Sequence, residues 1–244
     1  MLYLAEYFQK MDYKQILRNR GFRLYLFLCA VFFVCGAFVL LLIKRGDIVL
    51  LINRYSRLEW DPIVEVFTNV GLGSYMAVVA TLLAFYKLRH AAAGLLNLLI
   101  IGIFTNVLKE MFKGVFTRPL HYFMYDDLSR FIYTADINYY SSFPSGHSMT
   151  IFGMLAFFAF IADKRAVSVL LFVLAVLVSF SRMYLLQHFF VDVYTGAFLG
   201  IFSVLITIWL TENRLYFLKQ GIFDRSVQRN IQLLFRLRSQ KTQD

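Results

Sequence analysis

Along this chain, long apolar runs alternate with shorter polar connections. Six runs stand out: Leu24 to Ile43, Pro62 to Tyr86, Ala92 to Leu108, Ser148 to Ala162, Ala166 to Phe180 and Phe189 to Leu210. A helix needs about twenty apolar residues to cross the hydrocarbon core, so the pattern predicts six spanning helices, the fourth and fifth extending into their flanks. Nothing between the runs reads as a soluble domain, and there is no internal repeat or low-complexity tract. The expected fold class is all-α: a polytopic membrane protein, a six-transmembrane-helix bundle over residues 24–213. A basic amphipathic segment, 1–23, precedes it and a basic amphipathic tail, 214–244, follows it.

Composition makes the bilayer assignment firm. Of the 244 residues 59% are hydrophobic and 18% aromatic, with mean hydropathy +0.62. Soluble domains run nearer half apolar and a quarter charged. This much apolar surface cannot be hidden in one soluble core of this size. Cys29 and Cys35 both fall in the first run, on different faces of one helix, and read as unbridged packing residues. That run is too long for a cleaved signal core and reads as a retained anchor.

Charge supplies the orientation. Basic residues gather in alternate connections: Lys10, Lys14, Arg18, Arg20 and Arg23, then Lys87 and Arg89, then Lys164 and Arg165, then the tail from Arg214 to Lys241. The positive-inside rule therefore places both termini in the cytoplasm. The net charge of +10 does not point to nucleic acid. In the tail, Ile222, Phe223, Val227, Ile231, Leu234 and Phe235 recur near helical spacing among Arg225, Arg229, Arg236 and Arg238. Such a stretch suits a surface of anionic lipid headgroups, and no nucleic-acid partner is expected.

With that topology, three polar clusters share the outer face. One runs from Lys109 to Arg118 and Pro119, the second is Pro144, Ser145, Gly146 and His147, and the third runs from Ser181 and Arg182 to His188 and Asp192. Ionisable groups at membrane depth are costly and mark function. His188 and Asp192, four apart, would stack on one helix face, the carboxylate orienting a neutral imidazole as nucleophile. Arg182 offers a planar fork for two phosphate oxygens. Ser145 and Gly146, just before an apolar helix, provide a hydroxyl and an open backbone amide for an anion at a helix N-terminus. His147 is placed to protonate a leaving oxygen. Arg118, with Lys109 and Lys113 upstream, adds cations where the positive-inside rule disfavours them, which argues for a bound anion.

Together these residues resemble the signature of the type 2 phosphatidic acid phosphatase (PAP2) superfamily, which includes membrane lipid phosphate phosphatases, glucose-6-phosphatase and the vanadium haloperoxidases. The family pattern is Lys, six residues, Arg-Pro; then Pro-Ser-Gly-His; then Ser-Arg, five residues, His, three residues, Asp. The second part is matched at Pro144 to His147 and the third at Ser181, Arg182, His188 and Asp192. The first departs, because Met111 stands seven residues before Arg118. Lys109 is the better candidate, since it closes the third run as the family's lysine does; Lys113 is the other.

The resemblance implies that His188 attacks phosphorus and forms a phosphohistidine, with Asp192 orienting it and His147 acting as acid and then base. Lys109 or Lys113, Arg118, Ser145, Gly146 and Arg182 would hold the phosphate, with no metal and no other cofactor. A site level with the headgroups suits a bilayer-anchored substrate, with His121, Tyr122, Phe123, Met124, Tyr125, Tyr139 and Tyr140 at the interface beside it. The expected substrate is a lipid phosphate or diphosphate: polyprenyl diphosphate, phosphatidylglycerophosphate, phosphatidate or a lipid A phosphate. The expected setting is a bacterial inner membrane with a periplasmic site, or a lumenal site if the membrane is the endoplasmic reticulum. A phosphotransferase using the same intermediate and a non-catalytic anion-binding protein are the alternatives.

Overall fold

The computed structural model describes residues 18–123, 128–129 and 140–241, and among these all regular secondary structure is helical. In chain order the helices are α1 (Arg20–Leu42), α2 (Asp47–Tyr55), α3 (Asp61–Thr68), α4 (Gly73–Leu82), α5 (Leu88–Met111), α6 (Pro119–Tyr122), α7 (Gly146–Ala162), α8 (Arg165–Tyr184), α9 (Phe190–Asn213) and α10 (Val227–Lys241). Lys10, Lys14, Met124, Tyr125 and Tyr139 lie outside the described residues, as do the side chains of Phe235, Arg236 and Arg238.

Every apolar run is helical, but not every run is one full-length helix. By length and composition α1, α5, α8 and α9 can each cross a membrane. The second run is a bent pair, Leu58–Gly71 and Gly73–Phe85, turned by 56°. At the bend Leu72 is extended, between two glycines that lower helix propensity. Gly71 is also needed for close approach: a Cβ there would lie 3.0 Å from Val178 Cγ1 and 3.2 Å from His147 Cβ. The fourth run, α7, has 17 residues. Before the bent pair stands α2, which the run pattern does not show; it buries Val49 and Asn53 and leaves Leu51 and Tyr55 exposed.

The short α7 is the centre of the bundle. It packs on α9, α8, α5 and α1, and its buried residues, from Ser148 to Ala159, go right round the helix. A helix apolar on all sides belongs inside a bundle. By contrast α1 leaves Phe27, Val34, Phe38, Leu41 and Leu42 exposed, as a lipid-facing helix does. Small residues let α7 and α9 touch: a Cβ on Gly153 would stand 2.8 Å from the Gly200 carbonyl oxygen. A polar knot ties in α5. Asn97 Nδ2 donates to the Gly153 carbonyl (3.1 Å), and Asn97 Oδ1 accepts from Ser203 Oγ (3.0 Å) and Thr207 Oγ1 (3.2 Å).

At one end of the bundle, α1 is capped by Asn19, whose Oδ1 accepts from Phe22 N (2.6 Å) while its Nδ2 donates to the Phe160 carbonyl (2.7 Å). Lys87 pairs there with Asp224 (2.9 Å), and Leu88 N donates to the Arg225 carbonyl (3.1 Å), fastening the segment that leads into α10.

Candidate active site

The opposite end collects the C-termini of α5 and α8 and the N-termini of α7 and α9, because consecutive long helices run antiparallel. Lys109 sits in the last turn of α5 and Arg182 in the last turn of α8. Ser145 is the N-cap of α7: its Oγ accepts from Ser148 N (3.4 Å) and from Ser148 Oγ (3.0 Å). Its backbone N donates to the Asp192 carbonyl (3.0 Å), so the start of α7 is fastened to the first turn of α9. Gly146 follows against α5, where a Cβ would lie 3.3 Å from Thr105 Cγ2.

His188 and Asp192 come together, but not by stacking on one helix face. His188 precedes the α9 N-cap, Phe189, and Asp192 is in the first turn. The intervening loop is shaped by Leu186 (φ 55°) and by the Arg182 carbonyl, which accepts from Gln187 N (3.0 Å) and His188 N (3.2 Å). Asp192 Oδ2 accepts from Phe189 N (2.9 Å), the N-terminal use of a carboxylate that orphan helix amides favour. It also accepts from Ser142 Oγ, and His188 Nδ1 lies 3.6 Å from it and 3.5 Å from Ser142 Oγ.

Both partners are fully enclosed, His188 2% and Asp192 0% exposed. Burial pushes the imidazole pKa down; the hydrogen bond and charge of Asp192 oppose this, Arg118 and Arg182 reinforce it, and the result is about 4. The ring is therefore neutral at neutral pH. With Nδ1 facing the carboxylate, that nitrogen carries the proton and Nε2 keeps its lone pair.

Three cations approach from three elements. Arg118, 7% exposed, donates through Nε to the Tyr140 carbonyl (3.3 Å) and through Nη1 to Gln187 Oε1. Arg182 donates through Nη1 to Thr68 Oγ1 (3.0 Å) at the end of α3. Lys109 lies close enough to feel both guanidinium groups, and His147 feels Arg182, His188, Lys109 and Arg118. Lys113 is not among them. It is 70% exposed and pairs with Glu110 (3.1 Å) on its own side of the chain. Among the described residues no group of three or more His, Cys, Asp or Glu could hold a metal ion.

Sequence reading missed three contributors. Ser142 and Gln187 lie beside motif residues, in positions the motif leaves open. Thr68 is contributed by a segment with no motif at all, while Tyr140, expected at the interface beside the site, meets Arg118 through its carbonyl. Only Ser142, two residues before Pro144, carried a usable signal: a hydroxyl next to a histidine-bearing turn.

A family model of the PAP2 superfamily matches residues 90–216. Phosphatidylglycerophosphatase B of Bacillus subtilis (strain 168) is 30% identical over 190 residues, which span 71% of this chain and 80% of that protein. The crystal structure of Aquifex aeolicus LpxE superposes with a TM-score of 0.56 at 23% identity, over 67% of this chain and 94% of that one. The first transmembrane PAP2-type phosphatidylglycerolphosphate phosphatase from Bacillus subtilis superposes with a TM-score of 0.51 at 23% identity, over 80% of this chain and 97% of that one. The two superpositions speak for the fold alone, and the family model together with the curated relative carries the assignment: this integral membrane chain belongs to the PAP2 superfamily, among its membrane phosphatases.

Proposed function

We propose that the protein hydrolyses a lipid phosphate or diphosphate monoester through a phosphohistidine at His188. Nε2 attacks phosphorus, the bond from phosphorus to the lipid oxygen breaks, and His147 protonates that oxygen as it leaves. Asp192 stabilises the imidazolium while the phosphoryl group is attached. His147 then takes a proton from water, whose oxygen attacks phosphorus and frees His188 and inorganic phosphate. Lys109, Arg118, Arg182, Ser145 Oγ and the Gly146 amide hold the three phosphoryl oxygens and the charge developing on them. These protein cations meet that charge, so no step calls for a metal.

The observation that carries the reading is the convergence of a neutral His188, paired through Nδ1 with Asp192, with His147 and three cations at one end of an apolar helix bundle. Six spans follow if the bent pair and α7 are both counted. The site then faces outward, periplasmic in a bacterial inner membrane, with both termini and the tail in the cytoplasm. The basic helix ends at Arg18, Lys87, Arg89, Lys164, Arg165 and Arg214, all opposite the site, support that orientation. The B. subtilis relative, a phosphatidylglycerophosphatase by name, supports a bilayer-anchored phosphate as the substrate class.

The test is phosphate release by purified protein from a panel of phosphatidate, phosphatidylglycerophosphate, polyprenyl diphosphate and lipid A phosphate. His188→Ala should lower the rate by about 10⁴-fold or more, and acid-labile, alkali-stable phosphoprotein should accumulate in rapid quench of the wild type only. Full activity in His188→Ala would sink the mechanism.

A further inference from the structure

Resting on the lipid phosphatase reading above, we propose that Arg45 makes the enzyme selective for lipid phosphates bearing a second negative charge beside the phosphoryl group being transferred. That charge is either the inner phosphate of a diphosphate or a phosphodiester in the headgroup.

Arg45 lies in the turn between α1 and α2, at the site end of the bundle. Its guanidinium carbon stands 4.3 Å from the centroid of the Phe189 ring and 5.5 Å from that of Phe116. Phe189 directly follows His188 and shares Asp192 with it. Phe116 accepts at its carbonyl from Ser142 N (3.2 Å), the residue whose hydroxyl meets Asp192. Arg45 thus rests on the two aromatic residues that flank the reactive pair.

The turn is seated there. A Cβ on Gly46 would fall 2.5 Å from Phe123 Cζ, so a larger residue would have to displace that ring, and Phe123 packs in turn on Phe189. A guanidinium held over aromatic rings is positioned by them without using up its N–H donors, which can still meet an anion's oxygens.

Its charge is not spent on the protein. Arg45 is exposed and has no ion pair with a carboxylate among the described residues. It also stands where positive residues are disfavoured if the site faces outward. The inner cations already match the transferred phosphoryl group: Arg118 and Arg182 are buried and Lys109 is beside them. A fourth cation on the exposed rim has nothing to neutralise in a lipid with a single phosphomonoester. It has a partner in one with two charged groups.

The experiment measures kcat and KM in mixed micelles for phosphatidate, phosphatidylglycerophosphate and a polyprenyl diphosphate, with wild type, Arg45→Met and Arg45→Lys. Arg45→Met should raise KM about tenfold for one or both doubly charged lipids, the size of a lost charge-assisted contact, and leave phosphatidate within about twofold. Arg45→Lys should recover most of the loss, which a purely stacking role would not. A loss confined to the diphosphate, or to the phosphodiester lipid, identifies which second charge is read. Equal losses on all three lipids, or none on any, overturn the proposal. Equilibrium binding of the same lipids to His188→Ala protein, with and without Arg45→Met, gives a reading independent of turnover. If wild type hydrolyses nothing, the phosphatase reading fails, while the binding series still decides the role of Arg45.

Discussion

The two ends of the bundle hold their positive charge in different settings. At the end holding the chain's basic flanks, Lys87 and Arg89 meet Asp224, and Lys219 meets Glu212 at 2.5 Å, all on partly exposed side chains. At the other end Arg118 and Arg182 are buried, and among their contacts Arg118 donates to the Tyr140 carbonyl and to Gln187 and Arg182 donates to the Thr68 hydroxyl. An exposed ion pair is screened by water and does little beyond anchoring a helix end. A guanidinium held inside the bundle is preorganised charge in a water-poor site, which is worth most where new charge develops, as phosphoryl transfer requires.

That contrast can be broken in several places. The largest effect is expected at Asp192→Asn, which should lower kcat by about 10³- to 10⁴-fold by removing the charge that stabilises the imidazolium. It should also move the acid limb of kcat/KM. In the wild type His188 is neutral above about pH 4, so activity should persist down to that region and fall as the ring protonates. Asp192 raises that pKa, so its loss should shift the limb to lower pH; a shift upward in the pH–rate profile would contradict the assigned pairing.

Next in size is the lysine choice. Lys109→Ala should cost about 10²-fold in kcat/KM, whereas Lys113→Ala, which only breaks an exposed pair with Glu110, should stay within about twofold. Reversal of those two results in the phosphate-release assay would return the role to Lys113. Ser142→Ala should slow turnover by about tenfold with KM little changed, since the hydroxyl donates to the Asp192 carboxylate that orients His188. The smallest effect belongs to the far end. Lys87→Ala should leave kcat and KM as they are and lower stability by less than about 1 kcal/mol, read as a small change in unfolding temperature in detergent.

Much of the site was legible because its chemistry is local in sequence. Pro144 to His147 and Ser181 to Asp192 each carry their residues within one turn or loop, and the apolar runs fix which helix ends meet. What was not legible depends on contacts between segments. Nothing near Thr68 says that it meets Arg182, 114 residues later. The pairing of His188 with Asp192 was expected from helical spacing, yet it arises at a helix start, where the carboxylate serves the Phe189 amide as well. The bend at Leu72 lies within an unbroken apolar run, and hydropathy has no view of backbone direction. The amphipathic α2 was overlooked because it is too short and too polar to count as a span.

The polar knot at Asn97 bears on how such a chain is made. Its acceptor and donor partners, Gly153, Ser203 and Thr207, all come later in the sequence. During synthesis from the N-terminus, α5 therefore enters the bilayer with an amide that has no permanent partner, and each later helix that arrives relieves it. The bundle closes backwards: α9 brings the final hydroxyls to Asn97 and, at its other end, Asp192 to His188. Closure of the polar knot and completion of the reactive pair thus wait on the same helix.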